Sequence, residues 1–189
     1  MKYFSLLFLV IGTMSFEFQE TTICHSQIIS DTHHASNNDS VIITNCIKGF
    51  FTWYKSNYSK ANDYRLVGTD DNGYYFVDKK VCEKYLRLLK SSKFLSDNYL
   101  SAWRKYFEER TQNFKNNPQN EGPPEGFDYD LVTSTQEPDL VYDAVDRLNF
   151  KIVEIADKKA VVQMIGEWTF SIKLSKVRGK WLIDEIEII

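Results

Sequence analysis

The sequence predicts an α+β fold, with N-terminal helices packed on a curved antiparallel sheet of about four C-terminal strands. Two observations predict it. Between residues 39 and 116 apolar residues recur every three or four positions, the period of a helix with one buried face. After residue 148 they alternate instead, the period of a half-buried strand. The stretch EGPPEGFDYDLVTSTQEPD (121–139) separates the two regimes and holds three of the four prolines. It is the place where a helical layer hands over to a sheet.

The chain begins with a single positive charge at Lys2, followed by the apolar run YFSLLFLVIGTM (3–14), with Thr13 and Ser15 as small residues at its end. Such a run is too short to span a bilayer comfortably and suits a secretory leader; the competing reading is a buried N-terminal helix. The expected organisation is therefore a signal peptide over 1–15, a flexible tether over 16–38 and one domain over 39–189. The expected location is the periplasm or cell envelope. Cys24 keeps a lipid-anchored variant open, although Thr21-Thr22-Ile23 lacks the small residue that a lipidation signal places before its cysteine.

With 189 residues, the chain has room for one domain plus a leader. Its 13 Phe, 11 Tyr and 4 Trp supply a sizeable core. Charge is nearly balanced, 23 basic against 26 acidic residues, and no basic stripe develops, which argues against nucleic acid as a partner. No later run approaches transmembrane length.

The tether is polar and holds all three histidines, His25, His33 and His34. The His33-His34 pair is a nominal metal site, but a merely polar tether is the commoner meaning of such composition. From Asp39, with Asp39 or Ser40 as cap, a first helix carries Ile43, Cys46, Ile47, Phe50, Phe51 and Tyr54 on one stripe. Asp71-Asn72-Gly73 then marks a tight hairpin turn, since Asn-Gly supplies positive φ. Asp78 caps a second helix (79–89), and a third runs from about Ser96 to Asn116 with an aromatic stripe including Tyr99 and Trp103. A short helical turn over 141–147 leads into strands at 149–156, 159–165, 168–176 and 180–188, joined by short turns. Cys46 and Cys82 are either a disulfide, permitted by export, or two buried small hydrophobes.

No histidine follows His34, so the folded domain lacks the base of a Ser-His-Asp arrangement and the commonest zinc ligand. No glycine-rich phosphate loop occurs either. No metal or cofactor is expected. What remains is carboxylate chemistry. Asp128 and Asp130, two apart on a presumed strand, share one face, where neighbouring carboxylates raise one another's pKa. The plainer reading is that this polar run ties down the backbone of a buried crossover.

The run IKGFFTWY (47–54), the stretch FDYDLVTSTQEPD (127–139) and the terminal GKWLIDEIEI (179–188) together resemble the DUF3828 group of exported bacterial proteins, assigned to the NTF2-like (cystatin-like α+β) superfamily. The resemblance covers about Val41–Ile189. Its aromatic pair falls on Trp53 and Tyr54, its acidic strand on Asp128 and Asp130, and its Gln-acid pair on Gln136 and Glu137. Leu131 stands where the group often has proline. What the resemblance implies is a cone-shaped fold whose pocket would be lined by Trp53, Tyr54, Tyr99 and Trp103, with Asp128, Asp130 and Gln136 facing it. The function expected is a non-catalytic envelope protein binding a small molecule, a peptide or an envelope protein, with a homodimer through the sheet face as a further partner. The alternative is a small hydrolase, isomerase or dehydratase working through Asp128 or Asp130.

Overall fold

A computed structural model describes residues 25–189, with side chains from residue 38 onward. The expected signal peptide, the first part of the expected tether and Cys24 lie outside the described residues. The architecture is α+β. Helix α1 (His25–Asn62) is followed by the hairpin strands β1 (Val67–Thr69) and β2 (Tyr75–Val77), helices α2 (Lys79–Lys90) and α3 (Asp97–Asn116), and the short α4 (Pro138–Tyr142). Strands β3 (Asn149–Ala156), β4 (Lys159–Ile165), β5 (Thr169–Val177) and β6 (Lys180–Ile188) then form one antiparallel meander in chain order.

Helix α1 begins upstream of the expected cap, so 25–38 forms its N-terminal part rather than a separate tether. The physical reason is that HSQIISDTHHASNN contains no proline or glycine to stop a helix extending backwards from a packed segment. Asp39 accordingly sits inside the helix and does not cap it. Its carboxylate accepts from the Trp181 indole N–H (3.0 Å) and from Lys176 Nζ (2.9 Å), joining α1 to the last two strands. These two donors, the indole first, hold its pKa below the usual carboxylate range. A folded-state pKa lower than the unfolded one gives stability that is present above the unfolded value, about 3.9, and lost as pH falls through the folded one. We expect Asp39→Asn to lower unfolding free energy by about 1–2 kcal/mol near neutrality. The gap between wild type and variant should close below about pH 3 in urea titrations. A gap that persists there would exclude this ion pair as its cause.

The stripe on α1 forms half of the core. Ile43, Ile47, Phe50, Phe51 and Tyr54 are fully buried and face Val162, Met164, Phe170, Ile172, Leu174 and Ile183 on the inner face of the sheet, each also buried. Each such apolar side chain stabilises the fold by roughly 1.5–3 kcal/mol through burial. On β5 the alternation holds from Phe170 to Leu174. Trp168 lies before the strand and is half-buried. The outward face carries Lys151, Gln163, Ser171, Lys173 and Glu187, with Lys173 paired to Glu185.

Helices α2 and α3 start as their sequences predict. Asp78 accepts from the backbone N–H groups of Lys80 and Val81, and Ser96 from that of Tyr99. The segment before α3 docks on the edge of β6: Leu95 bridges Ile183 in parallel, and Ile183 N–H donates to Phe94 O at 2.8 Å. The register of β6 slips here, leaving Asp184 as an extra residue in a bulge. Its carboxylate turns toward α3 and accepts from Ser96 Oγ (2.5 Å), Ser175 Oγ (2.9 Å), Asn98 Nδ2 (3.3 Å) and Lys159 Nζ (3.3 Å).

The hairpin turns at Gly73 (φ +87) as Asn-Gly implies. Helix α4 forms at Pro138–Tyr142, a few residues earlier than expected, because Pro138 with its preset φ starts the helix at its first position. Cys46 and Cys82 are both unpaired. The Cys46 thiol donates to Trp181 O at 3.2 Å, and burial pushes both thiols up to about 12. They are inert core residues. Among the described residues no helix is long and apolar enough to cross a membrane.

Candidate functional site

The hinge is held from two sides. From α3, Phe127 stacks on Phe107 (6.2 Å between centroids, 11°) and Phe114 (6.3 Å). The Tyr106 hydroxyl donates to Gly126 O at 2.7 Å and lies 3.2 Å from the Tyr129 hydroxyl. Gly126 has φ +81, and a Cβ there would lie 2.5 Å from that Tyr106 oxygen, so both conformation and space require glycine.

From α1, Tyr54 reaches the hinge with its hydroxyl donating to Asp130 Oδ2. Asp130 Oδ1 accepts from Val132 N–H (3.1 Å), Thr133 N–H (2.8 Å) and Thr133 Oγ1 (2.8 Å). The backbone closes the same loop, with Asp130 N–H donating to Thr135 O (2.8 Å) and Ser134 N–H to Asp130 O (2.7 Å). Ser134 takes a left-handed φ of 53. This is the local hydrogen bonding expected when an aspartate begins a tight turn. Leu131, Val132 and Thr133 are thereby buried, with the backbone N–H groups of Val132 and Thr133 satisfied by Asp130.

The expectation that Asp128 and Asp130 share a strand face is therefore corrected. The segment bends at Asp128 and Tyr129, and Asp130 forms only an isolated bridge to Thr135. Turn chemistry dominates because the proline pair, Gly126 and the Asp130 side-chain bonds offer the backbone partners that a ladder would otherwise supply. Asp128 is exposed and Asp130 partly buried, so their environments differ.

Two concavities open beside this lock. The inner one, about 280 Å³, lies between the end of α1, β1, α2 and the hinge; Tyr54, Tyr64, Arg65, Tyr85, Tyr129 and Asp130 are among its walls. The outer one, about 480 Å³, is walled by Tyr58, Phe127, Asp128, Gln136 and Pro138 among others. Asn62, Phe127, Tyr129 and Asp130 line both, so the two concavities adjoin at Asp130 and together make up the hinge cleft. Gln136 Nε2 donates to Asp128 O at 3.2 Å, which fixes the outer rim.

Of the residues singled out in the sequence, the structure brings Tyr54, Asp128, Asp130 and Gln136 to this cleft. Three others lie elsewhere. Trp53 stacks on Phe50 along α1 (6.3 Å, 19°). Tyr99 is buried, and Trp103 packs edge-on against Tyr106 along α3 (5.2 Å, 81°). The aromatic stripe of α3 is consumed in core packing, as Tyr99 and Trp103 stack on residues one turn away. Sequence reasoning missed Asn62, Tyr64, Arg65, Tyr85 and Tyr129. A signal was present for two of them: Tyr64 and Arg65 come just after the end of α1 at Asn62, where the chain turns back towards the hinge.

Two phenols of the inner wall, Tyr54 and Tyr85, have their acidity suppressed. Burial, then the neighbouring Tyr85 phenol and the Asp130 carboxylate, pushes the Tyr54 hydroxyl far above its ordinary value, and burial does the same for Tyr85. Neither ionises at physiological pH. The Asp130 carboxylate is committed to four protein donors, so abstracting a proton would mean giving up the bonds that hold the hinge. The arrangement is suited to recognising a ligand by hydrogen bonds and aromatic contact. Among the described residues no group of three or more His, Cys, Asp and Glu is placed to hold a metal ion.

In comparisons of the chain with family models, curated proteins and solved structures, nothing matches.

Proposed function

We propose that this chain is an exported envelope protein of the NTF2-like kind that binds a small ligand non-catalytically in the hinge cleft. The observation that carries the binding reading is the pair of adjoining concavities at the hinge: aromatic walls, with hydrogen-bonding groups converging from α1, α2 and the hinge. The leader-like run at residues 3–14 supports export. The four-donor engagement of Asp130 favours binding over carboxylate catalysis. A dimer through the sheet face is a weaker reading, because it would desolvate the Lys173–Glu185 pair and its charged neighbours.

Native mass spectrometry of the protein gently purified from its host envelope tests this. The expected result is a reproducible small added mass, lost when Tyr129 is changed to alanine and kept when the distant Trp53 is changed to phenylalanine. A bare chain, or an added mass indifferent to Tyr129→Ala, would overturn the cleft as the binding site.

A further inference from the structure

The cleft has a polarity along its length. At the inner end Arg65, exposed at the wall, makes no hydrogen bond or ion pair among the described residues. The hydroxyl of Tyr64 beside it is likewise unbonded, while its ring meets that of Tyr85 edge-on at 6.2 Å. A guanidinium with unused N–H groups next to a phenol is a fork for a carboxylate. At the outer end the signs reverse. Asp128 meets no cation among the described residues, and no basic side chain walls this part. Its other walls include the rings of Tyr58, Phe127 and Tyr129. A carboxylate at a concavity partly lined by aromatic side chains is a setting for an ammonium group. Between the two ends, Asp130 Oδ2 accepts only from Tyr54 among the described residues, against three donors on Oδ1, which leaves room for one more N–H.

From this order of charges we infer that the ligand is dipolar: a short peptide with its free carboxylate at Arg65, its backbone over Asp130 and its free ammonium at Asp128. The inference rests on the binding reading above and names the ligand class for the same cleft. Lone charges at both ends make the two termini, rather than side chains, the recognised features. Blocking either terminus removes a charge that the cleft is placed to meet.

The test incubates the full chain with a random-sequence tripeptide library bearing free termini, and separately with the N-acetylated and the C-amidated libraries, reading bound masses by native mass spectrometry. The free library is expected to be retained, and either block to reduce occupancy by about tenfold or more. Asp128→Asn should abolish the difference between free and acetylated peptides while keeping that between free and amidated ones; Arg65→Gln should do the converse. Both substitutions are at exposed positions, and an unchanged circular dichroism spectrum confirms that the variants fold. Blocked peptides held as well as free ones would overturn the inference. So would an absence of bound peptide in a chain that still carries an envelope-derived mass sensitive to Tyr129→Ala, an outcome that leaves the binding reading standing. Loss of both peptide and envelope-derived mass would remove the two together.

Discussion

Asp130→Ala is expected to lower unfolding free energy by about 3–5 kcal/mol, because it leaves four donors, two of them on buried side chains, without their acceptor. The substitution takes the acceptor from two backbone N–H groups, the Thr133 hydroxyl and the Tyr54 hydroxyl. Tyr54 and Thr133 are essentially inaccessible to water, so their hydroxyls have no ready replacement. Two comparisons separate the parts. Tyr54→Phe removes one donor and leaves the turn intact, so its cost should be about 1–2 kcal/mol. Asp130→Asn keeps the three bonds to Oδ1 and forces the Tyr54 hydroxyl to accept instead of donate; its cost should lie near that of Tyr54→Phe. Urea unfolding monitored by tryptophan fluorescence measures all three. If Asp130→Ala cost no more than Tyr54→Phe, the turn bonds would contribute nothing and the lock as described would be wrong.

The second large effect belongs to Asp184. Replacing it with alanine empties the bulge where β6, β5 and the start of α3 meet. Ser96 and Ser175 are both buried and would lose the acceptor for their hydroxyls. Ser96 also caps α3, so the loss extends to the helix start. A cost of about 2–4 kcal/mol is expected, below that of Asp130 because Lys159 and Asn98 are exposed and regain water. Amide exchange should show the first turn of α3 opening in the variant before the centre of the sheet does. Protection lost evenly across the whole domain, with no early opening of that turn, would argue that Asp184 serves the sheet alone.

Much of the fold was legible because its elements obey local rules. Asp78 and Ser96 are caps with the right residue type directly before an apolar-periodic run, and both perform that role. The four strands were legible from alternation and short joints, with β5 starting one residue later than its pattern suggested. What was not legible depended on contacts distant in sequence. Asp39 has the composition of a cap, yet it spends its carboxylate on Trp181 and Lys176, which no local pattern reveals. Asp128 and Asp130 have the spacing of a strand pair, but spacing cannot show that Asp130 would bind its own backbone two and three residues on. The candidate site suffered most. Trp53, Tyr99 and Trp103 have the composition of a binding wall and are packing residues, while Tyr85 and Tyr129 look unremarkable until the chain is folded.

The contacts of β6 have a consequence for the order in which this molecule is put together. Besides β5, its partners are α1, through Asp39 and Cys46, and the entry to α3, through Phe94 and Leu95. Every element that it covers precedes it in the chain. A ribosome therefore releases the aromatic stripe of α1 long before the strands that cover it exist, and the helical half has no finished core to settle into. Closure of such sequence-distant contacts comes late and all at once. Until β6 is made, Asp39 and Cys46 on α1 and the entry to α3 lack the strand that they bond to.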